Sequence, residues 1–427
     1  MRVPGDKSIS HRAVILGALS NRGCTVENFL EGEDCLCTVD AFRAMGVPID
    51  RQGAHLEIHG QGLEGLKAPA KPIWCGNSGT TARLLMGVLT GQPFEVRLEG
   101  DPSLSKRPMD RVIGPLSEMG AFFLDLKDSG LPSVRPAHLP LRIRGTHSVK
   151  SIRWKSPAAS AQIKSAILLA GLYASGTTTV EEPSLSRDHT ERMLSASGVS
   201  VQREGRIVSV QGTATIRAAS FQVPGDLSSA AFILAAGLLR SPKELVVRGV
   251  GVNPTRTGFI DLVKAMGGSL RSIKTTESGG EPIADLAVKW SALKGILMGG
   301  EMIPRAIDEI PILAVLATQA QGRTVISDAK ELRIKESDRL KTVSGELSKM
   351  GAHISETPDG LIIEGPTPLK GAIVQSHGDH RLAMSLAVAA LGAQGQTTIE
   401  DVDCVATSFP GFWTLLDSIR LPSGGQG

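Results

Sequence analysis

The chain repeats one pattern six times, and this repetition restricts the possible folds more than any other feature of the sequence. In each copy a polar, turn-rich start precedes an almost wholly apolar segment, which is followed by glycine and a β-branched strand. The six starts are Pro4–Arg12, Gly76–Arg83, Ser160–Ser165, Pro224–Ser229, Ile307–Pro311 and His377–Arg381. A helix that is apolar on all sides is a buried helix. The pattern therefore predicts one buried helix in each repeat.

A second, amphipathic helix follows in the repeats and often ends in Met-Gly. The examples are Met45-Gly46, Met119-Gly120, Met266-Gly267 and Met350-Gly351. Glycine at this point fits a helix C-cap in the left-handed conformation. Alternating strands come next, such as His55–His59 and Arg206–Val210,. The repeat unit therefore reads β-α-β-α-β-β and recurs about every 64 to 84 residues.

Repeats that each bury a helix need neighbours to complete a core. Three repeats per domain would give two domains of about 200 residues, a common size, so we expect an α/β (α+β) protein with two similar domains. Helix starts that emerge together would gather several positive dipole ends, and two such faces opposed across a cleft would make a strong anion site. The alternative is a solenoid without such convergence, against which the Gly-rich, charged helix starts argue.

The composition restricts the class of protein. The hydrophobic content of 41% and the charged content of 21% are typical of a soluble globular chain, the net charge is only +3, and aromatic residues make up 4%. A nucleic-acid-binding protein would be more basic and richer in stacking aromatics. Five cysteines without C-x-x-C spacing indicate free thiols in a reducing cytosol. With no membrane span and a first motif too early for a targeting peptide, we expect a cytoplasmic protein.

Cations are concentrated at the starts of the buried helices and in loops between repeats. At helix starts they are Lys7, Arg12, Arg83, Lys164 and Arg381, and in loops they are Lys106, Arg107, Arg111, Arg187, Lys335 and Arg339. Arginine binds phosphate or carboxylate with a bidentate fork, and lysine acts as a point charge. Because equivalent points of a repeat can be brought together by the fold, we expect a ligand with more than one anionic group.

Two acidic residues stand among these cations. Asp308 lies at the start of a buried helix, and Glu336 lies between Lys335 and Arg339. A carboxylate in a cationic pocket stays ionised at neutral pH and can act as a general base. Glu309 is equally well placed by sequence, so only geometry can separate it from Asp308.

Two other patterns predict no site. Gly60–Gly65 matches G-x-G-x-x-G, but the prolines that follow prevent the helix that a dinucleotide site requires, so this segment should be a loop. His377 and His380 flank Asp379 without a third ligand, and no zinc-type ligand spacing occurs. We therefore expect no metal site.

The sequence resembles the 5-enolpyruvylshikimate-3-phosphate (EPSP) synthase family. The motifs that carry the resemblance are Pro4–Ser8, Gly76–Thr80, Arg107–Met109, Ile334–Arg339, Asp379–Met384 and Ala406–Pro410. Ser160–Ser165 and Ser186–Thr190 resemble the bacterial group that includes glyphosate-tolerant enzymes. The resemblance implies the enolpyruvyl transferase fold, an inside-out α/β barrel in two three-repeat domains. These would be residues 6–225 and residues 226–427 with 1–5, with the active site in the cleft between them.

The resemblance also implies an activity, which is transfer of the enolpyruvyl group of phosphoenolpyruvate to the 5-hydroxyl of shikimate 3-phosphate in the shikimate pathway. The implied contacts to shikimate 3-phosphate are Lys7, Ser8, Arg12, Ser160, Ala161, Gln162, Arg187, Asp308 and Lys335. Those to phosphoenolpyruvate are Lys7, Asn77, Gly79, Arg107, Gln162, Arg339 and Arg381. Asp308 would be the base on the hydroxyl and Glu336 the group that protonates the methylene carbon, with Lys7 assisting. No cofactor is implied.

The sequence departs from the family at a few positions. Thr407 stands where some relatives carry a lysine, and Ser186 stands where some carry a tyrosine. Gly79 is the glycine whose change to alanine crowds glyphosate in the family, so glyphosate is a candidate inhibitor and tolerance is left open. By analogy the resemblance implies a monomer.

Two alternative functions fit the sequence less well. The related transferase that acts on UDP-N-acetylglucosamine has a reactive cysteine in a mobile loop, whereas Asp101–Lys106 contains none and Cys75 fits packing at a strand end. A non-catalytic binder of phosphorylated small molecules would have no use for Asp308 and Glu336, because negative charge weakens binding of an anion.

Overall fold

The computed structural model describes residues 1–124, 137–213, 215–217 and 220–419, which form two compact units. The N-terminal unit consists of Gly5–Val223 and Glu277–Glu281, and the C-terminal unit consists of Met1–Pro4, Pro224–Thr276 and Pro282–Gly427. Each unit has its own apolar core. The chain passes from one unit to the other after Pro4, Val223, Thr276 and Glu281. No sequence pattern predicts that Glu277–Glu281 packs with the N-terminal unit.

The predicted buried helices all form. In the N-terminal unit the helices are α1 (Lys7–Ala18), α2 (Glu33–Ala44), α3 (Gly79–Leu89), α4 (Asp110–Glu118), α5 (Ala161–Gly171) and α6 (His189–Ala196). In the C-terminal unit they are α7 (Leu227–Arg240), α8 (Gly258–Ala265), α9 (Met302–Ala306), α10 (Ile310–Thr318), α11 (Arg339–Lys349), α12 (His380–Ala390) and α13 (Phe412–Ile419). Helices α1, α3, α5, α7, α10 and α12 are buried over most of their length. Among the described residues, none of these helices could cross a bilayer.

The N-terminal unit contains three four-stranded mixed sheets. In sheet order they are β12 (Phe221–Gln222), β1 (Gly23–Glu27), β3 (His55–His59), β2 (Ile49–Gln52); then β4 (Ile73–Trp74), β5 (Glu95–Glu99), β7 (Leu141–Arg144), β6 (Phe122–Phe123); then β8 (Arg153–Lys155), β9 (Thr177–Glu181), β11 (Ile207–Gln211), β10 (Val201–Glu204). The first two strands of each sheet are parallel, and the other pairs are antiparallel. Because Val26 pairs with Phe221, the last strand of the unit completes the sheet of the first repeat.

The sheets of the C-terminal unit are less uniform. In sheet order they are β13 (Leu245–Gly251), β15 (Glu281–Val288), β14 (Leu270–Ser278); then β16 (Leu297–Met298), β17 (Gly322–Ile326), β19 (Gly360–Gly365), β18 (His353–Thr357); and the parallel pair β20 (Ile373–Gln375) and β21 (Thr398–Glu400). Four-stranded sheets therefore form in the first, second, third and fifth repeats, whereas the sheet of the fourth repeat has three described strands and that of the sixth has two. Within the described residues this repeat ends at α13, with no strand after β21.

The glycines predicted to end the amphipathic helices have left-handed backbones. The φ angles are +86° at Gly46, +111° at Gly120, +84° at Gly267 and +88° at Gly351. Only glycine adopts this conformation without a steric penalty from Cβ. The prediction of glycine C-caps is confirmed, and each cap turns the chain from its helix into the next strand.

A second set of glycines lies where the last strand of a repeat ends and its backbone packs closely against the end of a buried helix. A Cβ added at Gly60, Gly145, Gly212 or Gly365 would lie 2.2, 2.1, 1.9 or 2.4 Å from a carbonyl oxygen at or just beyond the end of a buried helix. No larger residue fits where backbones approach this closely. Gly60–Gly65 forms no helix, so the prediction of a loop there is confirmed, and Gly60 serves packing.

We expect Gly212→Ala to lower the free energy of unfolding by about 1–3 kcal/mol or more, because the backbones must move apart. The matched control is Gly345→Ala in α11, where an added Cβ meets nothing within 4 Å, and there we expect a gain of about 0.5–1 kcal/mol. Denaturant unfolding of both variants beside the unaltered chain measures the difference. Equal stability of Gly212→Ala and the unaltered chain would contradict the packing role.

Candidate active site

Five of the six buried helices begin with a side chain that caps their backbone N–H groups. The capping residues are Asp6, Ser78, Ser160, Asp226 and Asp379, and α10 instead has Pro311 in its first turn. Such caps satisfy donors that the helix itself leaves unpaired. Because three caps are carboxylates, they offset part of the positive dipole, and neighbouring cations must supply the charge that attracts an anion.

Lys7 opens α1, and its ammonium group contacts the carboxylate of Asp34 in α2. The Lys7 side chain is 17% exposed, so it is held at the edge of the unit rather than free in solvent. Thr81 donates a hydrogen bond to the backbone oxygen of Asp34 at 3.2 Å. Asp34 therefore links the start of α2 to the starts of α1, through Lys7, and α3, through Thr81.

Arg12 is buried one turn further along α1 and joins it to two other helices. Its Nε donates to Thr190 Oγ1 at 2.6 Å, its Nη2 to Ser165 Oγ at 2.7 Å and its Nη1 to the Ser8 backbone oxygen at 2.9 Å. Burial lowers the pKa of Arg12 to about 10, and the positive charge of Arg187 acts in the same direction. Arg12 therefore stays charged at neutral pH. The structure brings the predicted residues Ser8, Arg12 and Arg187 together.

Gln162, in the first turn of α5, is oriented by two neighbours on α3. Arg83 Nη1 donates to Gln162 Oε1 at 2.8 Å, and Gln162 Nε2 donates to Thr80 Oγ1 at 2.9 Å. Ser160 caps the same helix, and Ala161 is half-buried. Because both ends of the amide are engaged, its direction is fixed, and Arg83 is the residue that fixes the oxygen.

Asn77, Gly79 and Arg107 form a second group in the N-terminal unit. Arg107 Nη2 donates to Asn77 Oδ1 at 2.5 Å, and Asn77 Nδ2 donates to Asp101 Oδ2 at 2.6 Å. A Cβ added at Gly79 would lie 2.6 Å from Arg83 Nη1 and 3.6 Å from Arg107 Nη1. Gly79 therefore leaves the space beside two guanidinium groups open, where a side chain would fill it.

Lys164 does not belong with the other helix-start cations. Its side chain is 1% exposed, and its Nζ lies 2.8 Å from Glu182 Oε2 and 2.7 Å from Glu191 Oε1. Buried charges are stable in proteins when they are paired in this way. The prediction that Lys164 helps to attract an anionic ligand is therefore wrong, because two buried carboxylates neutralise it.

In the C-terminal unit, Asp308 is surrounded by three cations. Its Oδ1 lies 3.3 Å from Arg339 Nη1, 3.8 Å from Lys335 Nζ and 3.9 Å from Arg381 Nε. The backbone oxygen of Asp308 also accepts from Arg381 Nη1 at 3.4 Å. The Asp308 side chain is 11% exposed, so the carboxylate stands in a largely dehydrated cationic pocket, as the sequence predicts.

Arg339 connects this pocket to two further acids. Its Nε donates to Asp379 Oδ2 and its Nη2 to Glu336 Oε2, both at 2.7 Å. Burial acts to lower the pKa of Arg339, but the charges of Asp379, Glu336 and Asp308 outweigh it and raise that pKa above its ordinary value. For Asp379, burial acts to raise the pKa, and Arg339 holds it below its ordinary value. Both groups are therefore fully ionised at neutral pH.

The geometry separates Asp308 from Glu309. Glu309 is 1% exposed, contacts the hydroxyl of Ser228 and lies 3.8 Å from Arg256 Nη2. It points into the core at the start of α7, whereas Asp308 points to the three cations. Glu309 is thus a structural acid, and Asp308 is the candidate general base.

Of the two histidines around Asp379, His377 is paired with an acid and His380 is buried at the start of a helix. His377 Nε2 lies 2.8 Å from Glu346 Oε1, and His380 is buried in the first turn of α12. Within the part of the chain that the structure describes, no three His, Cys, Asp or Glu side chains are grouped to hold a metal ion.

A family model described as EPSP synthase (3-phosphoshikimate 1-carboxyvinyltransferase) matches residues 1–416. The chain belongs to the EPSP synthase family. It is 53% identical over 419 residues to a 3-phosphoshikimate 1-carboxyvinyltransferase of Brevibacillus brevis, covering 98% of this chain and 96% of the relative. A relative of the same name from Citrifermentans bemidjiense is 52% identical over 417 residues, covering 98% and 95%.

The fold is likewise similar to that of a solved EPSP synthase from Acinetobacter baumannii. The TM-score is 0.87 at 45% sequence identity, and the match covers 98% of this chain and 95% of that chain. The resemblance to the family and the α/β fold predicted from the sequence are therefore both confirmed.

Four side chains that hold the predicted site residues in place received no specific role from sequence reasoning. They are Asp34, Arg83, Asp101 and Asp379. Asp379 directly precedes a buried helix within a family motif, so its capping role could have been deduced. Asp34 and Asp101 gave no such signal, because each contacts a residue that only the fold brings near.

Proposed function

We infer that the chain transfers the enolpyruvyl group of phosphoenolpyruvate to the 5-hydroxyl of shikimate 3-phosphate and releases phosphate. It thereby acts in the shikimate pathway to chorismate and the aromatic amino acids. The observation that carries this conclusion is the position of Asp308, which faces three cations while Glu336 is bound to one of them. Such a group supplies both acid-base chemistry and positive charge for phosphate and carboxylate.

The residues proposed to bind shikimate 3-phosphate are Lys7, Ser8, Arg12, Ser160, Ala161, Gln162, Arg187, Asp308 and Lys335. Support in the N-terminal unit comes from the cationic group around Arg12, which Arg187 joins. Guanidinium groups suit a phosphate monoester because they bind it with two donors. Support in the C-terminal unit comes from the approach of Lys335 to Asp308.

The residues proposed to bind phosphoenolpyruvate are Lys7, Asn77, Gly79, Arg107, Gln162, Arg339 and Arg381. This substrate carries a carboxylate and a phosphate, so it requires several cations. The open space at Gly79 beside Arg107 supports this assignment in the N-terminal unit. The pair Arg339 and Arg381 at Asp308 supports it in the C-terminal unit.

In the proposed reaction, Glu336 enters in its protonated form and gives that proton to the methylene carbon of phosphoenolpyruvate, and Asp308, as the carboxylate, takes the proton of the 5-hydroxyl. The hydroxyl oxygen then bonds to the adjacent carbon, which has become cation-like. In the second step the bond from that carbon to the phosphate oxygen breaks, a methyl proton returns to Glu336, and the proton held by Asp308 leaves with phosphate. The cations Lys7 and Lys335 stabilise the charge that develops.

The alternative activity on UDP-N-acetylglucosamine finds no support. Cys75 is fully buried at the end of β4, and burial raises the pKa of its thiol to about 12. A reactive cysteine requires a thiolate at neutral pH. The relatives named 3-phosphoshikimate 1-carboxyvinyltransferase likewise favour this enzyme over a non-catalytic binder of phosphorylated small molecules.

Monomeric state, cytoplasmic location and inhibition by glyphosate stay predictions.

Phosphate release tests the proposal directly. We expect the chain to release phosphate from phosphoenolpyruvate only when shikimate 3-phosphate is also present, and to release none when either substrate is omitted. If a folded chain releases no phosphate with both substrates, the proposal is wrong. Calorimetry with shikimate 3-phosphate would then separate a silent binder from an enzyme with a different substrate.

A further inference from the structure

The turn between β20 and α12 has a backbone that requires support. His377 has a φ of +54°, and Gly378 follows with a φ of +70°. Histidine adopts positive φ uncommonly, because Cβ crowds the backbone there. A residue held in such a conformation is retained when its surroundings fix it, and this occurs most often at functional sites.

The side chain that fixes this turn is Glu346 of α11, which is 4% exposed. Its Oε1 lies 2.8 Å from His377 Nε2, and its Oε2 accepts from the Gln375 backbone N–H at 3.0 Å. Lys349 Nζ lies 2.9 and 2.8 Å from the two oxygens. Burial acts to raise the pKa of Glu346, but Lys349, His377 and Gln375 hold it below its ordinary value. The carboxylate is therefore ionised, and both of its oxygens are engaged.

The residue directly after the turn is Asp379, the N-cap of α12. Asp379 Oδ1 accepts from the Arg381 backbone N–H at 2.9 Å, and its Oδ2 accepts from Arg339 Nε at 2.7 Å and from Ser337 Oγ at 3.0 Å. Both arginines in turn approach the carboxylate of Asp308. A shift of the turn would therefore move the guanidinium of Arg339 directly, and Arg381 through the start of α12.

We propose that Glu346 is a positioning residue for phosphoenolpyruvate. It holds the turn at Gln375–Gly378, and the turn places Asp379. Asp379 then aims the guanidinium of Arg339 and fixes the start of α12, which carries Arg381. Glu346 acts through these groups and has no contact with substrate. This inference rests on the proposed function, in which the two arginines bind phosphoenolpyruvate.

The variant that tests this role is Glu346→Gln. An amide has one oxygen where the carboxylate has two, so its NH₂ group faces Lys349 together with either the Gln375 N–H or His377 Nε2, and His377 can accept from it only by changing tautomer. The contacts that hold the turn are therefore weakened with little change in size. Because a lost hydrogen bond weakens placement modestly, we expect KM for phosphoenolpyruvate to rise about 3- to 10-fold, with KM for shikimate 3-phosphate unchanged.

Two further variants sharpen the test. His377→Asn introduces a residue that tolerates positive φ but is too short to reach Glu346, so the same selective rise in KM for phosphoenolpyruvate is expected. In the double variant this KM should rise no further than in the stronger single variant. Lys349→Gln is the matched control. The Lys349 side chain is 50% exposed, and its removal leaves the turn held by His377 and Gln375, so kinetics should not change.

A merely structural role predicts a different result, in which thermal stability falls while KM is unchanged or rises equally for both substrates. Either outcome in folded Glu346→Gln and His377→Asn would overturn the positioning role. If Glu346→Gln does not fold, His377→Asn decides the question alone. Absence of phosphate release from the unaltered chain would instead refute the proposed function, and the positioning role with it.

Discussion

Asp308→Ala and Glu336→Gln should each lower kcat by about 10²- to 10⁴-fold, the usual size of a general acid-base contribution. Asp308→Ala removes the group that takes the hydroxyl proton, and Glu336→Gln removes the acid that protonates the methylene carbon. The matched control is Glu364→Gln in the same unit, whose 56%-exposed side chain lies 3.4 Å from Arg323. That change should leave kcat unaltered.

Isotope exchange separates the two acids. Because the proposed methyl intermediate contains a proton from solvent, reversal of the addition would place deuterium from D₂O in the methylene group of phosphoenolpyruvate. Glu336→Gln should slow this exchange by about the same factor as turnover. A Glu336→Gln variant that exchanges deuterium at the unaltered rate would exclude Glu336 as the acid, and an Asp308→Ala variant with unaltered kcat would exclude Asp308 as the base.

The elements of the fold that depend only on residues close together in the sequence could be predicted. Apolar segments predicted the buried helices, and Met-Gly pairs predicted helix ends such as Gly46 and Gly351, because both signals lie within a few residues. The sixth repeat shows the limit of this reasoning. Its start at His377–Arg381 matches the other copies, but the later strands that were assumed by analogy are not among the described elements.

Side-chain direction could not be predicted. Asp308 and Glu309 are adjacent, yet one faces three cations and the other the core at Ser228, because successive residues near a helix start point in different directions. The same limit applies to Lys164, which the sequence places among the cations at helix starts. Its carboxylate partners, Glu182 and Glu191, come close only through the fold, so no local pattern reveals that its charge is neutralised.

Asp379→Asn should lower the free energy of unfolding by about 3–5 kcal/mol, the usual cost of removing one partner of a buried ion pair. Asp379 is fully buried and accepts two hydrogen bonds from Arg339 and one from Ser337. The amide of asparagine would place an NH₂ group against these donors. KM for phosphoenolpyruvate should rise as well, because Asp379 fixes the direction of Arg339.

This variant distinguishes the ion pair from the helix cap, since asparagine caps helices about as well as aspartate. If Asp379 served only as the cap of α12, Asp379→Asn would be nearly neutral. Asp338→Asn is the matched control, because Asp338 caps α11 and pairs with Arg333 at a side-chain exposure of 32%. Loss of an exposed ion pair should cost about 1 kcal/mol or less.

The pH dependence of the difference gives an independent check. The pKa of Asp379 is held below its ordinary value, so its stabilising contribution is complete above that ordinary value, near 3.9, and is lost as the pH falls through the lower pKa of the folded state. The stability gap between the unaltered chain and Asp379→Asn should therefore be constant from pH 7 to about pH 5 and narrow below about pH 4. A gap of 1 kcal/mol or less at neutral pH, equal to that of Asp338→Asn, would show that Arg339 is held by Asp308 and Glu336 alone.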